Sequence, residues 1–206
     1  MQIGIKRVID IVLSLIVLVL FLPLWIIIAI LIKMTSKGPI FFLQERPGKY
    51  RKIFKVYKFR TMELGSEKMV KGQEVIGSDD RITSIGTFLR RSKMDEIPQV
   101  LNVLKGEMSL VGPRPERIAS LDDYDEEISK RLNMRPGMTG LAQVSGNIYL
   151  DLKDRYKFDV HYVEHFSLWL DIKIILRTIG VVIFGEDKYI DKCLVELNSG
   201  QRSTSV

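Results

Sequence analysis

Apolar positions are distributed along the chain in three ways, and each predicts a different kind of element. From Ile11 to Ile32 they form one run, IVLSLIVLVLFLPLWIIIAILI, twenty-two positions without a charged residue. At 1.5 Å per residue a straight helix of that length extends about 33 Å, enough to cross a hydrocarbon core of about 30 Å. Pro23 stands near the middle, where it removes a backbone hydrogen bond and crowds the preceding turn. A bend there leaves two arms of about 16 Å, each half a bilayer deep. Two topologies stay open on these grounds: a kinked spanning helix, or a segment that enters the membrane and leaves by the same face. Lys6 and Arg7 before the run and Lys33 and Lys37 after it favour both ends on the cytoplasmic side. A signal peptide is the weakest of the three readings, since its apolar centre is about 7 to 15 residues long and ends in small residues.

The second pattern is short and β-branched or aromatic. Ile40 to Leu43 and Ile53 to Phe59, separated by Pro47-Gly48, predict a β-hairpin. The third is helical. One helix is expected from near Thr83 to Arg91, and a second from the Asp95-Glu96 pair through Val100, Leu101 and Leu104 to a stop at Gly106. Residues 122–132 and 152–165 predict two amphipathic charged helices. Residues 168–184 predict a very apolar one, whose few charges, Asp171, Lys173 and Arg177, suit a position in the membrane interface. Residues 63–80 are expected to be a polar loop with a short helix, and no internal repeat is present. The fold class is therefore mainly α with a small β-hairpin. The expected units are a membrane-inserted segment, 1–36, a catalytic-size domain, 37–185, and a disordered tail, 186–206.

Composition sharpens this picture. The chain has 206 residues, 46% of them hydrophobic and 27% charged, which allows one ordinary domain plus an attached element. A single cysteine, Cys193, rules out an internal disulfide framework. The net charge of +6 is concentrated: between Lys33 and Arg60 there are nine Lys or Arg residues against Glu45 alone, whereas residues 61–206 carry a slight negative excess. Such a juxtamembrane stretch suits anionic lipid headgroups or a phosphorylated substrate. Nucleic acid fits poorly beside an apolar anchor and a balanced remainder.

Candidate chemistry centres on LRRSKMDEIPQVLNVLKG. Adjacent acids stand just before Pro98, a residue of helix first turns, which puts Asp95 at or next to an N-cap. An ordinary capping aspartate would look the same, but Arg90, Arg91 and Lys93 bring cations to the carboxylates, as phosphoryl chemistry or a divalent metal would require. In Gly112-Pro113-Arg114-Pro115 two prolines hold an arginine in extended backbone, suited to bidentate phosphate recognition, and Met134-Arg135-Pro136-Gly137 repeats the theme. Lys58 and Arg60, two apart on the expected strand, share a face. Asp171 on an apolar helix must be paired or functional. His161 and His165 have metal-ligand spacing without a third ligand. No P-loop, dinucleotide fingerprint or Ser-His-Asp elbow occurs.

The series KRVID, PIFFLQERPG, KIFKVYKFRTM, IGTFLRRSKMDEIPQVLNVLKGEMSLVGPRP, RPGMTGLAQVSG and FDVHYVEHFSLWLDIKIILRTI, spread over about residues 6 to 184, resembles the bacterial sugar transferase family, the monotopic phosphoglycosyl transferases. The resemblance implies transfer of a sugar 1-phosphate from a UDP-sugar to polyprenyl phosphate, usually undecaprenyl phosphate, with Mg2+ and release of UMP, to start a cell-surface glycan. It implies Asp95 as nucleophile and Glu96 as its acid-base or metal partner, both being candidate metal ligands. It also implies Lys58, Arg60, Arg90, Arg114, Arg135, Gln143 and Asp171 around substrate and phosphate. The N-terminal helix would be re-entrant, broken at Pro23, and the active site would face the cytoplasm at the bacterial inner membrane. Whether two copies pair as a homodimer stays open. Two departures stand out: Leu22 where a serine is expected before the proline, and Asn147 where an arginine usually follows Ser-Gly. The extra spanning helices of larger relatives are not expected here, which suggests a minimal catalytic form. The rival readings are a non-catalytic polybasic scaffold and a membrane phosphohydrolase.

Overall fold

A computed structural model describes residues 1–66, 79–185 and 187–189. Its longest element is helix α1, Gln2–Thr35. The apolar run supplies its outward face: Val12, Ile16, Val19, Leu20, Ile26, Ile27 and Ile30 are all exposed. A second stripe, at helical spacing, is buried: Lys6, Asp10, Ser14, Trp25, Ile28 and Ile32. Pro23 lies within this one helix.

Both ends of α1 are tied to the same polar domain. Near the N-terminus, Lys6 Nζ donates to Asp171 Oδ2 at 2.6 Å, Arg7 donates to the carbonyls of Val103 and Leu104, and Asp10 accepts from Ser109 Oγ and the Leu110 amide. At the other end, the buried Arg60 guanidinium donates to the carbonyls of Ser36 and Lys37. Between them Trp25 meets Phe59 edge to face, with ring centroids 5.7 Å apart.

The hairpin forms as its pattern predicts. Strand β1, Phe41–Pro47, pairs antiparallel with β2, Ile53–Phe59, in the register Phe41 to Phe59 and Pro47 to Ile53. Its turn carries Tyr50 and Arg51 at positive φ. Helix α2, Ser84–Arg91, starts where Thr83 caps it, its hydroxyl accepting from the Gly86 amide at 3.0 Å. A 3-10 helix, Met94–Gln99, then runs into α3, Val100–Lys105, and Gly106 at φ 84° ends it in the left-handed conformation that favours glycine.

Strands β3, Ser109–Val111, and β4, Gly137–Thr139, form a short parallel pair that was not expected. Three-residue strands are too brief for a visible alternation. They bring the two Pro-Arg-Gly elements together: the Gly112 amide donates to Thr139 O and the Gly137 amide to Pro113 O, both at 2.9 Å. The backbones are so close that a Cβ on Gly137 would lie 2.1 Å from the Gly112 nitrogen, so glycine is required.

The expected helix over 122–132 is instead three short pieces: a 3-10 turn at Ile118–Asp123, α4 at Glu126–Ser129, and a 3-10 turn at Lys130–Asn133. Asp125 caps α4 through the Ile128 amide, and Tyr124 is drawn inward to Arg131, which breaks the helical register. Helices α5, Leu152–Glu164, and α6, Leu168–Phe184, match their predictions closely. Val111, Leu141, Val144, Phe158, Tyr162 and Ile174 form the core between them and the β3–β4 pair. On its other side α6 exposes Trp169, Ile172, Leu176, Ile179 and Ile183 at helical spacing. Most of the expected 63–80 loop and of the expected disordered tail falls outside the described residues.

Candidate active site

The site forms where the end of β2, the end of α2 and the first turn of the 3-10 helix meet. Lys93, at φ 58°, stands at the N-cap position, so Asp95 lies in the first turn rather than at the cap itself. Glu96 accepts from Lys58 Nζ at 2.7 Å, and Arg114 lies 3.5 Å from the same oxygen. Arg90 approaches from α2 and is oriented by Thr61, whose hydroxyl accepts from Arg90 Nε at 2.9 Å. Arg114 is set by the chain behind it. Its carbonyl accepts from Arg131 at 2.7 Å, and Arg131, 2% exposed, pairs with the buried Asp159 and with the Tyr124 hydroxyl.

The two neighbouring carboxyls are shifted in opposite directions. Burial raises Asp95 to about 6, Glu96 adds to this, and Lys58 and Arg90 oppose it. For Glu96 burial acts in the same sense but is overcome by Lys58 and Arg114, which hold it below the usual carboxylate range. At neutral pH both are ionised. Glu96 is neutralised by its partners, whereas no side chain donates a hydrogen bond to Asp95 among the described residues. A half-buried anion with cations nearby but no side-chain hydrogen bond committed to them keeps lone pairs available.

Of the expected site residues, Asp95, Glu96, Lys58, Arg90 and Arg114 are brought together. The others are placed elsewhere. Arg60, though on the same face of β2 as Lys58, caps the C-terminus of α1. Asp171 is enclosed by Lys6 and by the Tyr162 hydroxyl, each 2.6 Å away. Arg135 donates to the Gly106 carbonyl at the far end of α3. Gln143 donates to Met138 O, beside the Gly112 backbone. Arg131, Asp159 and Thr61, which position the arginines, were not singled out from sequence. A basic residue in a charged stretch has no local mark that separates a buried pair from a solvated one. His161 and His165 stack at 4.1 Å, and no group of three metal-ligating side chains converges among the described residues. The dyad alone could therefore hold a divalent cation only with further oxygens from a phosphorylated substrate, an arrangement Mg2+ commonly adopts.

A helix-rich protein with a long exposed apolar helix, and a carboxylate pair set among cations suited to phosphoryl groups, is the class these features define. The chain belongs to the bacterial sugar transferase family, whose model it matches over residues 1–185. It is 43% identical over 187 residues to the UDP-N-acetylgalactosamine-undecaprenyl-phosphate N-acetylgalactosaminephosphotransferase of Aeromonas hydrophila, a match covering 88% of this chain and 44% of that protein. It is 41% identical over 193 residues to the UDP-glucose:undecaprenyl-phosphate glucose-1-phosphate transferase of Caulobacter vibrioides, covering 89% and 72%. With the undecaprenyl-phosphate galactose phosphotransferase of Salmonella typhimurium it shares 39% over 201 residues, covering 89% and 41%. The chain thus spans less than half the length of two of these relatives.

Proposed function

We propose that this chain transfers a sugar 1-phosphate from a UDP-sugar to polyprenyl phosphate, with undecaprenyl phosphate as the natural acceptor, and releases UMP. The observation that carries this is the Asp95-Glu96 pair: one acid neutralised by Lys58 and Arg114, its neighbour ionised and uncommitted, in a chain whose relatives carry the names of such transferases.

The reaction proceeds in two displacements. An Asp95 oxygen bonds to the phosphorus that carries the sugar, and the bond from that phosphorus to the oxygen bridging it to UMP breaks. A phosphate oxygen of the lipid then bonds to the same phosphorus, and the Asp95 bond breaks. Splitting one displacement in two suits two substrates that share no contact. Arg114 and Arg90 grip equatorial phosphate oxygens and stabilise the charge that develops there. Lys58 holds Glu96, which keeps that carboxylate from competing for the phosphorus. Asp95 and Glu96 are the residues that would hold Mg2+ beside a bound diphosphate, and the ion would supply charge neutralisation for the departing UMP.

The reaction takes place at the cytoplasmic face of the inner membrane, with α1 re-entrant. The support for this is that both ends of α1 are pinned to one polar domain. A spanning helix would carry Lys6, Arg7 and Asp10 about 30 Å away, across the hydrocarbon, from the carbonyls that Arg60 holds at the other end. The exposed apolar face of α6 lies along the interface beside it.

The test supplies Mg2+, polyprenyl phosphate and a panel of UDP-sugars and measures UMP. Release that depends on the lipid is expected; release without lipid would mean hydrolysis, and none with any donor would reject the transferase. With donor alone, the peptide containing Asp95 should gain the mass of a phosphosugar. Cysteines placed on both sides of residues 11–32, in a chain first freed of Cys193, should be labelled from the same side.

A further inference from the structure

At the opposite end of α3 from the Asp95-Glu96 pair lies a second basic cavity, lined by Ile3, Lys6, Arg7, Lys49, Met134 and Arg135, with Asp10 and Ser109 at its wall. About ten residues of helical chain separate Glu96 from Gly106, where Arg135 is bound, some 15 Å of helix. Four cations meet one carboxylate there. Lys6 is already neutralised by Asp171, and Asp10 is spent on Ser109 and the Leu110 amide. Arg7, Lys49 and Arg135 have no carboxylate partner among the described residues. Arg7 and Arg135 each donate to carbonyls at the end of α3, but the terminal nitrogens of Arg135 make no hydrogen bond, and Lys49 Nζ only rests over the Tyr50 ring at 4.7 Å. Like charges held this close in a half-enclosed space call for an anion.

The surroundings indicate the kind of anion. The cavity opens beside Ile3, at the start of the exposed apolar face formed by Ile3, Ile5, Val8, Ile9 and Val12. On its other side the hairpin tip carries Lys49, Arg51 and Lys52 around the exposed Tyr50, the mixture of cations and amphipathic rings found at headgroup depth. A phosphate seated between Lys49 and Arg135 would leave its acyl chains lying along α1.

We propose that this cavity binds the phosphate headgroup of an anionic phospholipid, a site separate from the one where chemistry occurs. The proposal rests on the membrane-seated part of the proposed function and not on the transfer reaction. Full-length protein in detergent micelles is titrated with phosphatidylglycerol or phosphatidylcholine, and bound lipid is counted by native mass spectrometry. One phosphatidylglycerol should bind with at least a fivefold preference over phosphatidylcholine, and Asp95→Asn should not alter this. Lys49→Gln, which removes a side chain touching only an exposed ring, should lower the preference about fivefold, the effect of one charge at a membrane surface. Arg135→Gln should do the same and Arg135→Lys should restore most of it. Equal binding of the two lipids, or a preference unchanged in Lys49→Gln and Arg135→Gln, overturns the proposal. Displacement of phosphatidylglycerol by millimolar inorganic phosphate or glycerol phosphate overturns the lipid as occupant and assigns the cavity to a free phosphate.

Discussion

Asp95 and Asp171 are both acids with a lysine close by, and their surroundings treat them in opposite ways. Both oxygens of Asp171 are committed, Oδ2 to Lys6 and Oδ1 to the Tyr162 hydroxyl, and the group is buried where α6 meets the start of α1. It is a joint. Asp95 has cations within electrostatic reach, but the bonds go to its neighbour: Lys58 and Arg114 bind Glu96, and Arg90 is turned by Thr61. Burial makes the Asp95 anion costly, and the nearby Lys58 and Arg90 charges and a backbone hydrogen bond offset only part of that cost. A carboxylate with both oxygens bonded to side chains holds a fold together, whereas one that no side chain bonds keeps lone pairs accessible.

The comparison can be broken most directly at Asp95. Asp95→Asn should lower lipid-dependent UMP release by at least about 10^3-fold while the melting temperature holds or rises, because a half-buried charge whose burial is only partly offset by Lys58 and Arg90 is removed. A variant that melts early would make Asp95 a second joint. Asp171→Ala should show the reverse signature. It strands Lys6 in the interior and should destabilise the protein by about 3 to 5 kcal/mol in thermal or denaturant unfolding. The double change Lys6→Met with Asp171→Leu should recover most of that loss, since a buried pair exchanged for apolar side chains is close to neutral.

A smaller effect sharpens the contrast. Lys58→Met removes a cation that favours ionisation of both acids, so activity at neutral pH should drop by roughly 10 to 100-fold. The acid limb of kcat/KM should also move to higher pH as Asp95 becomes harder to ionise. In the unchanged protein that limb should lie near pH 6. Asp95 loses its charge as pH falls through about 6, and kcat/KM should then decline tenfold per pH unit. A flat profile down to pH 5 would mean that Asp95 is not the ionised group on which the rate depends.

Much of this was legible in the chain. The helix start at Thr83 and the stop at Gly106 are local capping chemistry, and the hairpin follows from two β-branched runs about a Pro-Gly pair. The apolar run and the helix at 168–184 are composition expressed at helical period. Residues 122–132 misled because their charges are spaced as on a helix, while one buried contact, Tyr124 with Arg131, turns the chain out of register. Arg60 misled in another way. Its spacing from Lys58 put both on one face of β2, yet the neighbouring end of α1 takes the guanidinium.

The sequence alone therefore determined most of the elements, the apolar anchor, the acid pair and the family, because each depends on neighbours a few residues apart or on an ordered series of motifs. Tertiary structure alone decided which cation meets which acid. Lys6 and Asp171 are 165 residues apart and Lys58 and Glu96 are 38 apart. An ion pair across such separations leaves no periodic trace, since its energy comes from a shared low-dielectric environment that exists only after the elements have packed. That packing makes one aspartate a joint and leaves the other with no side chain bonded to it among the described residues.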